Sequence, residues 1–194
     1  MNPSFLRPLG LAVAPLTVVS LGLVVVAGST ASGEAVEASP FAIASSALLL
    51  VALLGIAAVG LAAAAACRAA GRSAAAPALA VVGAVLVAGG GWASLFVLPD
   101  LADRAPHLLS SGELSGVMVG YVASYAIFAI GWLATGIVLA RARVVPTWLG
   151  VLLAVGGAAS MVPAPEPLRL LILSVGVTLA TGRLAARDMA PAAA

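Results

Sequence analysis

Charged residues stand almost wholly in the gaps between long apolar runs of this chain, and arginine alternates there with acidic residues. One set of gaps carries the arginines Arg7, Arg68, Arg72, Arg141, Arg143, Arg183 and Arg187. The gaps between them carry the acids Glu34, Glu37, Asp100, Asp103, Glu113 and Glu166. The exceptions are Asp188, Arg104 and Arg169. Because arginine is retained on the cytoplasmic side of a membrane, this alternation predicts a protein that crosses the membrane several times.

The composition excludes a soluble fold. Hydrophobic residues make up 63% of the chain and charged residues 8%, and the mean hydropathy is +1.20. Soluble domains carry roughly 25% charged residues, which they need to cover their surface. The net charge of +2 comes from arginines placed singly or in pairs, so no basic surface for nucleic acid is expected. The expected surroundings are a lipid bilayer.

Six apolar segments are long enough, or nearly so, to cross a bilayer, whose core near 30 Å needs roughly 20 helical residues. They are residues 9–28, 41–66, 77–98, 114–140, 146–162 and 167–182. A proline-rich turn, residues 163–167, separates the last two. The sequence thus predicts one all-α transmembrane domain over residues 1–194, a six-helix bundle with both termini in the cytoplasm. The lysine-free, alanine-rich composition suggests a GC-rich genome.

Local signals mark the ends of these helices. Ser39-Pro40 has an N-cap residue followed by a proline at the first helical position, and Ser110 with Glu113 has the spacing of a capping box. Pro15 is expected to kink the first helix, with neighbouring helices covering the freed carbonyl. A cleaved signal peptide over residues 1–35 is the alternative for this segment. Its apolar run exceeds the usual 7 to 15 residues, so we expect retention.

The single cysteine and the single histidine exclude several chemistries. Cys67 alone cannot form an intramolecular disulfide or a CxxC motif, and a passive buried role is expected rather than palmitoylation or redox sensing. His107 alone cannot supply bis-histidine haem ligation or an HExxH zinc site. We therefore expect no cofactor and no metal.

The longest loop, residues 99–113, has an amphipathic pattern. At about 100° per residue, Asp100, Asp103, Arg104 and His107 fall on one side and apolar residues on the other. Two interpretations follow. The acids and the histidine can form a small metal or acid/base site. The favoured interpretation is a short interfacial helix with its apolar side on the membrane.

The fourth segment combines small and aromatic residues. Gly116, Gly120 and Ser124 recur every four residues, and the aromatic series that follows is Tyr121, Tyr125, Phe128 and Trp132. Small residues at this spacing allow helices to approach closely. Packing within the bundle is expected, and a homodimer face or an aromatic-lined lipid pocket is the alternative. For the run at residues 89–92 (GGGW) we expect a close helix crossing rather than a flexible break. Trp148 is expected to anchor the cytoplasmic interface.

No ionisable residue lies deep within the six segments. Ion-coupled transporters and intramembrane acid/base enzymes place such groups near the midplane, so both classes are disfavoured. The candidates for catalytic residues are then confined to the outer interface: Asp100, Asp103, His107, Glu113 and Glu166.

The segment YVASYAIFAIGWLATGIVLARARVVPTWLGVLLAVGG, residues 121–157, resembles a family of bacterial six-span membrane proteins known only as a domain of unknown function. The shared pattern is an aromatic, glycine-rich helix, a short basic turn, and then Pro146, Trp148 and the run Leu149 to Leu153. It covers about the last 90 residues of the chain. The resemblance implies the six-span architecture and transfers no catalytic residue.

These observations favour a non-catalytic or accessory membrane component, such as a partner subunit. One alternative is a small lipid- or isoprenoid-processing enzyme that uses the outer-interface acids. A second alternative is a passive carrier or channel.

Overall fold

The computed structural model describes residues 6–105, 107–108 and 115–188, and 86% of these residues are helical, with no strand among them. A short 3-10 helix, Gly33–Val36, and seven α-helices make up the described chain. The α-helices are α1 (Leu6–Thr30), α2 (Pro40–Ala69), α3 (Ala75–Phe96), α4 (Leu98–Arg104), α5 (Ser115–Arg141), α6 (Thr147–Ala159) and α7 (Glu166–Asp188). The all-helical class predicted from the sequence is confirmed.

Five helices are long and apolar enough to cross a membrane, and α6 is apolar but shorter. The helix α6 has 13 residues, so it is about 20 Å long, whereas α5 has 27 residues and is about 40 Å long. The first four predicted segments agree with α1, α2, α3 and α5 to within three residues. The fifth segment, 146–162, also agrees with α6 to within three residues, whereas α7 continues six residues beyond the end of 167–182.

The helices form a closed ring. Each of α1, α2, α3, α5, α6 and α7 packs against the next in that order, and α7 packs against α1. Neighbours run antiparallel: on α1 and α7, for example, Gly10 lies beside Thr181 and Thr17 lies beside Ser174. The helix α2 also contacts α5 and α7 across the ring. Among the described residues, the largest fully buried side chains lie in the interior of the ring and include Trp132, Phe128, Leu53, Ile56, Leu149 and Leu173.

Antiparallel neighbours bring like-charged residues to the same end of the bundle. The arginine end holds the start of α1, the α2–α3 turn, the α5–α6 turn and the last turns of α7, with Arg7, Arg68, Arg72, Arg141, Arg143 and Arg183. The opposite end, called the acid end below, holds Glu37, Asp100, Asp103 and Glu166. Trp148 is exposed in the first turn of α6, at the arginine end.

The closest helix crossings use glycines other than those expected. A Cβ on Gly131 of α5 would lie 2.6 Å from the Cα of Ala80 of α3, so only glycine fits there. The prediction of a close crossing at residues 89–92 is wrong, since a Cβ on Gly89 meets nothing within 4 Å and the first contact of Gly90 is at 3.8 Å. The expected packing of Gly116 and Gly120 within the bundle is also wrong, because a Cβ on either meets nothing within 4 Å.

Hydroxyl groups join α1 to both of its neighbours. Thr17 Oγ1 and Ser174 Oγ lie 2.8 Å apart between α1 and α7, and Ser20 Oγ and Ser45 Oγ lie 2.7 Å apart between α1 and α2. These four residues are buried, so their hydrogen bonds are shielded from competing water. The helix α1 thus contributes polar contacts as well as apolar packing to the closure of the ring.

A third hydroxyl supports α1 next to its proline. Thr178 Oγ1 of α7 accepts a hydrogen bond from the backbone N–H of Ala14, the residue before Pro15, at 3.1 Å. The same hydroxyl donates to the backbone carbonyl of Gly10 at 3.2 Å. A neighbouring helix therefore contacts backbone groups next to the proline, but the carbonyl it covers is that of Gly10, whereas the carbonyl that Pro15 frees is that of Leu11. The predicted N-cap of α2 is confirmed, since Ser39 Oγ accepts from Ala42 N at 3.1 Å.

Candidate functional site

Four polar side chains of the acid end come together between α5 and α7. Tyr121 and Tyr125 are one turn apart on α5 and therefore share a face. Glu166 and Arg169 belong to the first turn of α7. The helix α6 ends at Ala159, well short of the height that α5 reaches, so the turn that follows sets the start of α7 beside α5. The four residues, Tyr121, Tyr125, Glu166 and Arg169, are called the outer cluster below.

Two hydrogen bonds connect the helices within the outer cluster. The Tyr125 hydroxyl donates to Glu166 Oε1, and Arg169 Nη2 donates to the Tyr121 hydroxyl. The two tyrosines differ in exposure, since Tyr125 is 2% exposed and Tyr121 is 36% exposed. The carboxylate bond therefore lies inside the bundle, whereas the guanidinium bond lies at its surface.

The aromatic rings enclose the arginine. The Arg169 Cζ lies 4.0 Å from the centre of the Tyr125 ring and 5.4 Å from the centre of the Tyr121 ring. The two rings are themselves 4.9 Å apart, and Tyr125 meets Phe128 edge-on at 6.2 Å. Both distances from Arg169 are within the range of cation–π attraction, which strengthens when water is excluded. Tyr121 and Tyr125 thus hold a cation, whereas Phe128 and Trp132 of the same aromatic series lie buried in the interior of the bundle.

Hydrogen bonding of the guanidinium is incomplete within the described part of the chain. Arg169 Nε is buried and has no acceptor there, and Arg169 takes part in no ion pair within 4.0 Å. A guanidinium has five N–H donors, of which Tyr121 receives one. The outer cluster can therefore hold an anionic oxygen group at Arg169, while its carboxylate is already bound by a phenol.

The candidate residues of the loop 99–113 that lie on α4 are exposed, unlike Glu166. Asp100, Asp103 and Arg104 are exposed on α4, and Asp100 Oδ1 lies 3.5 Å from Arg104 Nε. Leu101 and Ala102 on the other side of α4 are half-buried against the protein. Across the described residues, no three histidine, cysteine, aspartate or glutamate side chains form a group that could hold a metal.

Other candidates from the sequence can be placed as well. Cys67 is fully buried in the core, in agreement with a passive role. Glu113 and the predicted capping box with Ser110 lie outside the described residues. Sequence reasoning named Glu166 and the tyrosines separately and missed Arg169, although its departure from the charge alternation was a usable signal.

Together these features define the class as an all-helical bundle with several helices able to cross a membrane. Comparisons of the chain with protein-family models, curated proteins and solved structures find no match. The resemblance of residues 121–157 to a bacterial membrane-protein family therefore stays a prediction.

Proposed function

We propose that this chain is a non-catalytic, accessory component of a bacterial plasma membrane. The observation that carries the proposal is that the buried side chains, apolar and polar alike, contact other side chains of the same bundle. The interior of the ring is filled by fully buried apolar groups such as Trp132 and Phe128. The carboxylate that enters the bundle, Glu166, is bound by Tyr125 of another helix. Side chains arranged in this way stabilise the fold of the bundle. We therefore expect the protein to act by binding other membrane components.

The proposed topology is six spans with the arginine end in the cytoplasm. The clustering of Arg68, Arg72, Arg141 and Arg143 at one end supports this orientation. The helix α6 alone is about 20 Å long, so the turn at residues 160–165 completes the sixth crossing and lies below the outer surface.

Cysteine labelling tests the topology. Because the one native cysteine, Cys67, is fully buried, the wild-type chain should give little background with an impermeant maleimide. We expect Glu37→Cys to be labelled in intact cells, and Ser73→Cys only after the membrane is permeabilised. Labelling in the opposite order, or of both sites in intact cells, would overturn the proposed orientation.

The proposed partner surface is the face of α5 with Gly116, Gly120 and Ser124. It is not packed against any described helix, and its neighbours Val117, Met118 and Val119 are 66%, 63% and 69% exposed. Ser124 Oγ bonds to Gly120 O of its own helix, which leaves a smooth surface of small groups. Such a surface allows another helix to approach closely, either from a membrane partner or from a second copy of this chain.

Copurification tests the accessory role. After crosslinking in native membranes and mild solubilisation, we expect a stoichiometric partner protein or a second copy with the wild-type chain. Gly120→Leu should abolish it. Gly22→Leu on α1 is the matched control, because a Cβ there also meets nothing within 4 Å. A chain that is recovered alone, or whose partner survives Gly120→Leu and Gly22→Leu equally, contradicts the proposal.

A second candidate function is a small enzyme acting on lipids or isoprenoids. It is favoured by one observation, namely that Glu166 is an acid held next to a phenol hydroxyl at the acid end. Incubation of the purified protein with membrane lipid extracts, followed by mass spectrometry, tests it. Turnover by the wild type that is lost in Glu166→Gln would replace the accessory role by this one.

A further inference from the structure

The Arg169 guanidinium is a cation whose hydrogen-bonding capacity is not met within the described chain. Its flat face lies 4.0 Å from the Tyr125 ring centre, one donor reaches the Tyr121 hydroxyl, and the buried Nε has no acceptor. An unmet buried donor is costly, and more so when it carries charge. The missing partner is an anionic oxygen, since a guanidinium fork pairs best with phosphate or carboxylate.

The acids of the acid end do not supply this partner. Oε1 of Glu166 receives the Tyr125 hydroxyl, and no ion pair within 4.0 Å joins Glu166 to Arg169 in the described structure. Asp100 is paired with Arg104. Glu166 lies close enough to Arg169 for the two charges to attract each other, but without an ion pair in the described structure the remaining N–H donors of Arg169 stay available to a group from outside the bundle.

The depth of Arg169 in the membrane indicates which anion it meets. Its partner Tyr121 precedes Arg141 by 141 − 121 = 20 residues along α5, which is about 30 Å of helix and matches the thickness of a bilayer core. Arg169 and Tyr121 thus stand where the hydrocarbon core meets the outer headgroups. Around them, Leu168, Ile172 and Val122 are exposed apolar residues that suit acyl chains.

We propose that Arg169 and Tyr121 bind the phosphate of an anionic phospholipid in the outer leaflet. The guanidinium supplies charge and donors, the tyrosine hydroxyl fixes its orientation, and the apolar residues beside them contact the acyl chains. The site goes beyond the accessory role and rests only on the proposed topology, which assigns this end of the bundle to the outer leaflet. It does not depend on a partner protein, because the lipid sits on α7 and α5 whether or not one is present.

Lipid retention in native mass spectrometry tests the proposal. The full chain is placed in nanodiscs of equal parts phosphatidylglycerol and phosphatidylcholine, and the lipids that stay bound after release are counted. We expect a preference of about tenfold for one phosphatidylglycerol molecule, a factor within reach of one charge-assisted pair. Arg169→Gln should abolish the preference. Arg104→Gln is the matched control, since it removes the same charge from the same end and should retain the preference.

Two further measurements, one on a Tyr121→Phe variant and one with added inorganic phosphate, test the site independently of Arg169→Gln and distinguish a lipid from free phosphate. Tyr121→Phe keeps all charges and should weaken the preference severalfold, so it tests the site even if Arg169→Gln does not fold. Millimolar inorganic phosphate is added in competition, and displacement of the lipid by it would identify a site for free phosphate and overturn the proposal. Equal losses in Arg169→Gln and Arg104→Gln, or an unchanged preference in a folded Tyr121→Phe, would overturn it as well.

Discussion

At the scale of residues, the exceptions to the charge alternation are the informative positions. Arg104 and Arg169 both stand at the acid end, where the topology rule disfavours arginine. Each has a specific contact there: Arg104 lies 3.5 Å from Asp100, and Arg169 lies on the Tyr125 ring. The arginines at the other end follow the charge alternation, whereas these two have specific contacts of their own.

The hydrogen bond between Tyr125 and Glu166 should stabilise the bundle. Tyr125→Phe removes the donor and leaves a carboxylate oxygen without it, so we expect the free energy of unfolding to fall by about 1–3 kcal/mol. Unfolding in mixed detergent micelles measures this change. Tyr121→Phe, one turn away and 36% exposed, should have a smaller effect because its partner can turn to headgroups and water. Equal losses in the two variants would contradict the assignment.

The sequence indicated only part of the outer cluster. Glu166 was recognised because acids are rare in this chain, and Tyr121 and Tyr125 because their spacing places them on one face. Their association could not be predicted, since Arg169 and Tyr121 are 48 residues apart and meet only because α6 is short. Hydropathy indicates which segments are apolar enough to form membrane helices. It does not indicate the relative lengths of neighbouring helices, which decide whether residues on α5 and α7 meet.

At the scale of elements, helix positions followed from apolar length, and the remaining errors have local causes. The helix α7 begins at Glu166 because a proline in the first turn is tolerated, and it continues past Gly182 because Arg183 and the alanines after it favour helix. Charges end a membrane span without ending the helix. The crossing glycines were misassigned because spacing does not say which face of a helix meets a neighbour. On α5, Gly131 and Gly136, rather than Gly116 and Gly120, lie at the close contacts.

We expect the Thr178 hydroxyl to contribute to the stability of the protein because it binds the backbone of α1 next to Pro15. Its hydroxyl bridges Ala14 N and Gly10 O, so Thr178→Val should destabilise the protein by about 0.6–1.7 kcal/mol. In a Pro15→Ala background, the restored N–H lets the backbone ladder tighten, and the same substitution should cost less. Unfolding of the four variants measures this coupling.

The matched control for Thr178 is Thr30→Val. The Thr30 hydroxyl bonds only to carbonyls of its own helix, so its loss should have little effect in either background. An equal cost of Thr178→Val with proline or alanine at position 15 would show that the hydroxyl serves general packing and not the proline.

At the scale of the whole molecule, the defining event is the closure of the ring by α7 against α1. The other ring contacts join helices that follow one another along the chain, and all of them except the contact of α3 with α5, which are separated by residues 97–114, follow from short connections. The contact of α1 with α7 joins residues about 160 positions apart, and Thr17 with Ser174 is an example at 157. Nothing in hydropathy specifies this closure. The hydroxyls of Thr17 and Ser174 add a hydrogen bond to it, although Thr17 also donates to Val13 O of its own helix.

Disulfide crosslinking tests the closure directly. In a Cys67→Ala background, Thr17→Cys with Ser174→Cys should crosslink under mild oxidation, because the hydroxyls that the thiols replace are 2.8 Å apart. Thr17→Cys with Thr135→Cys should not, since Thr135 is buried on α5, which is not a ring neighbour of α1. A shift in gel mobility that a reductant reverses measures both. Crosslinking of both pairs would reflect a loose assembly, and crosslinking of neither would mean an open bundle. Crosslinking of the first pair alone would show that α1 packs against α7 with residues 17 and 174 in contact.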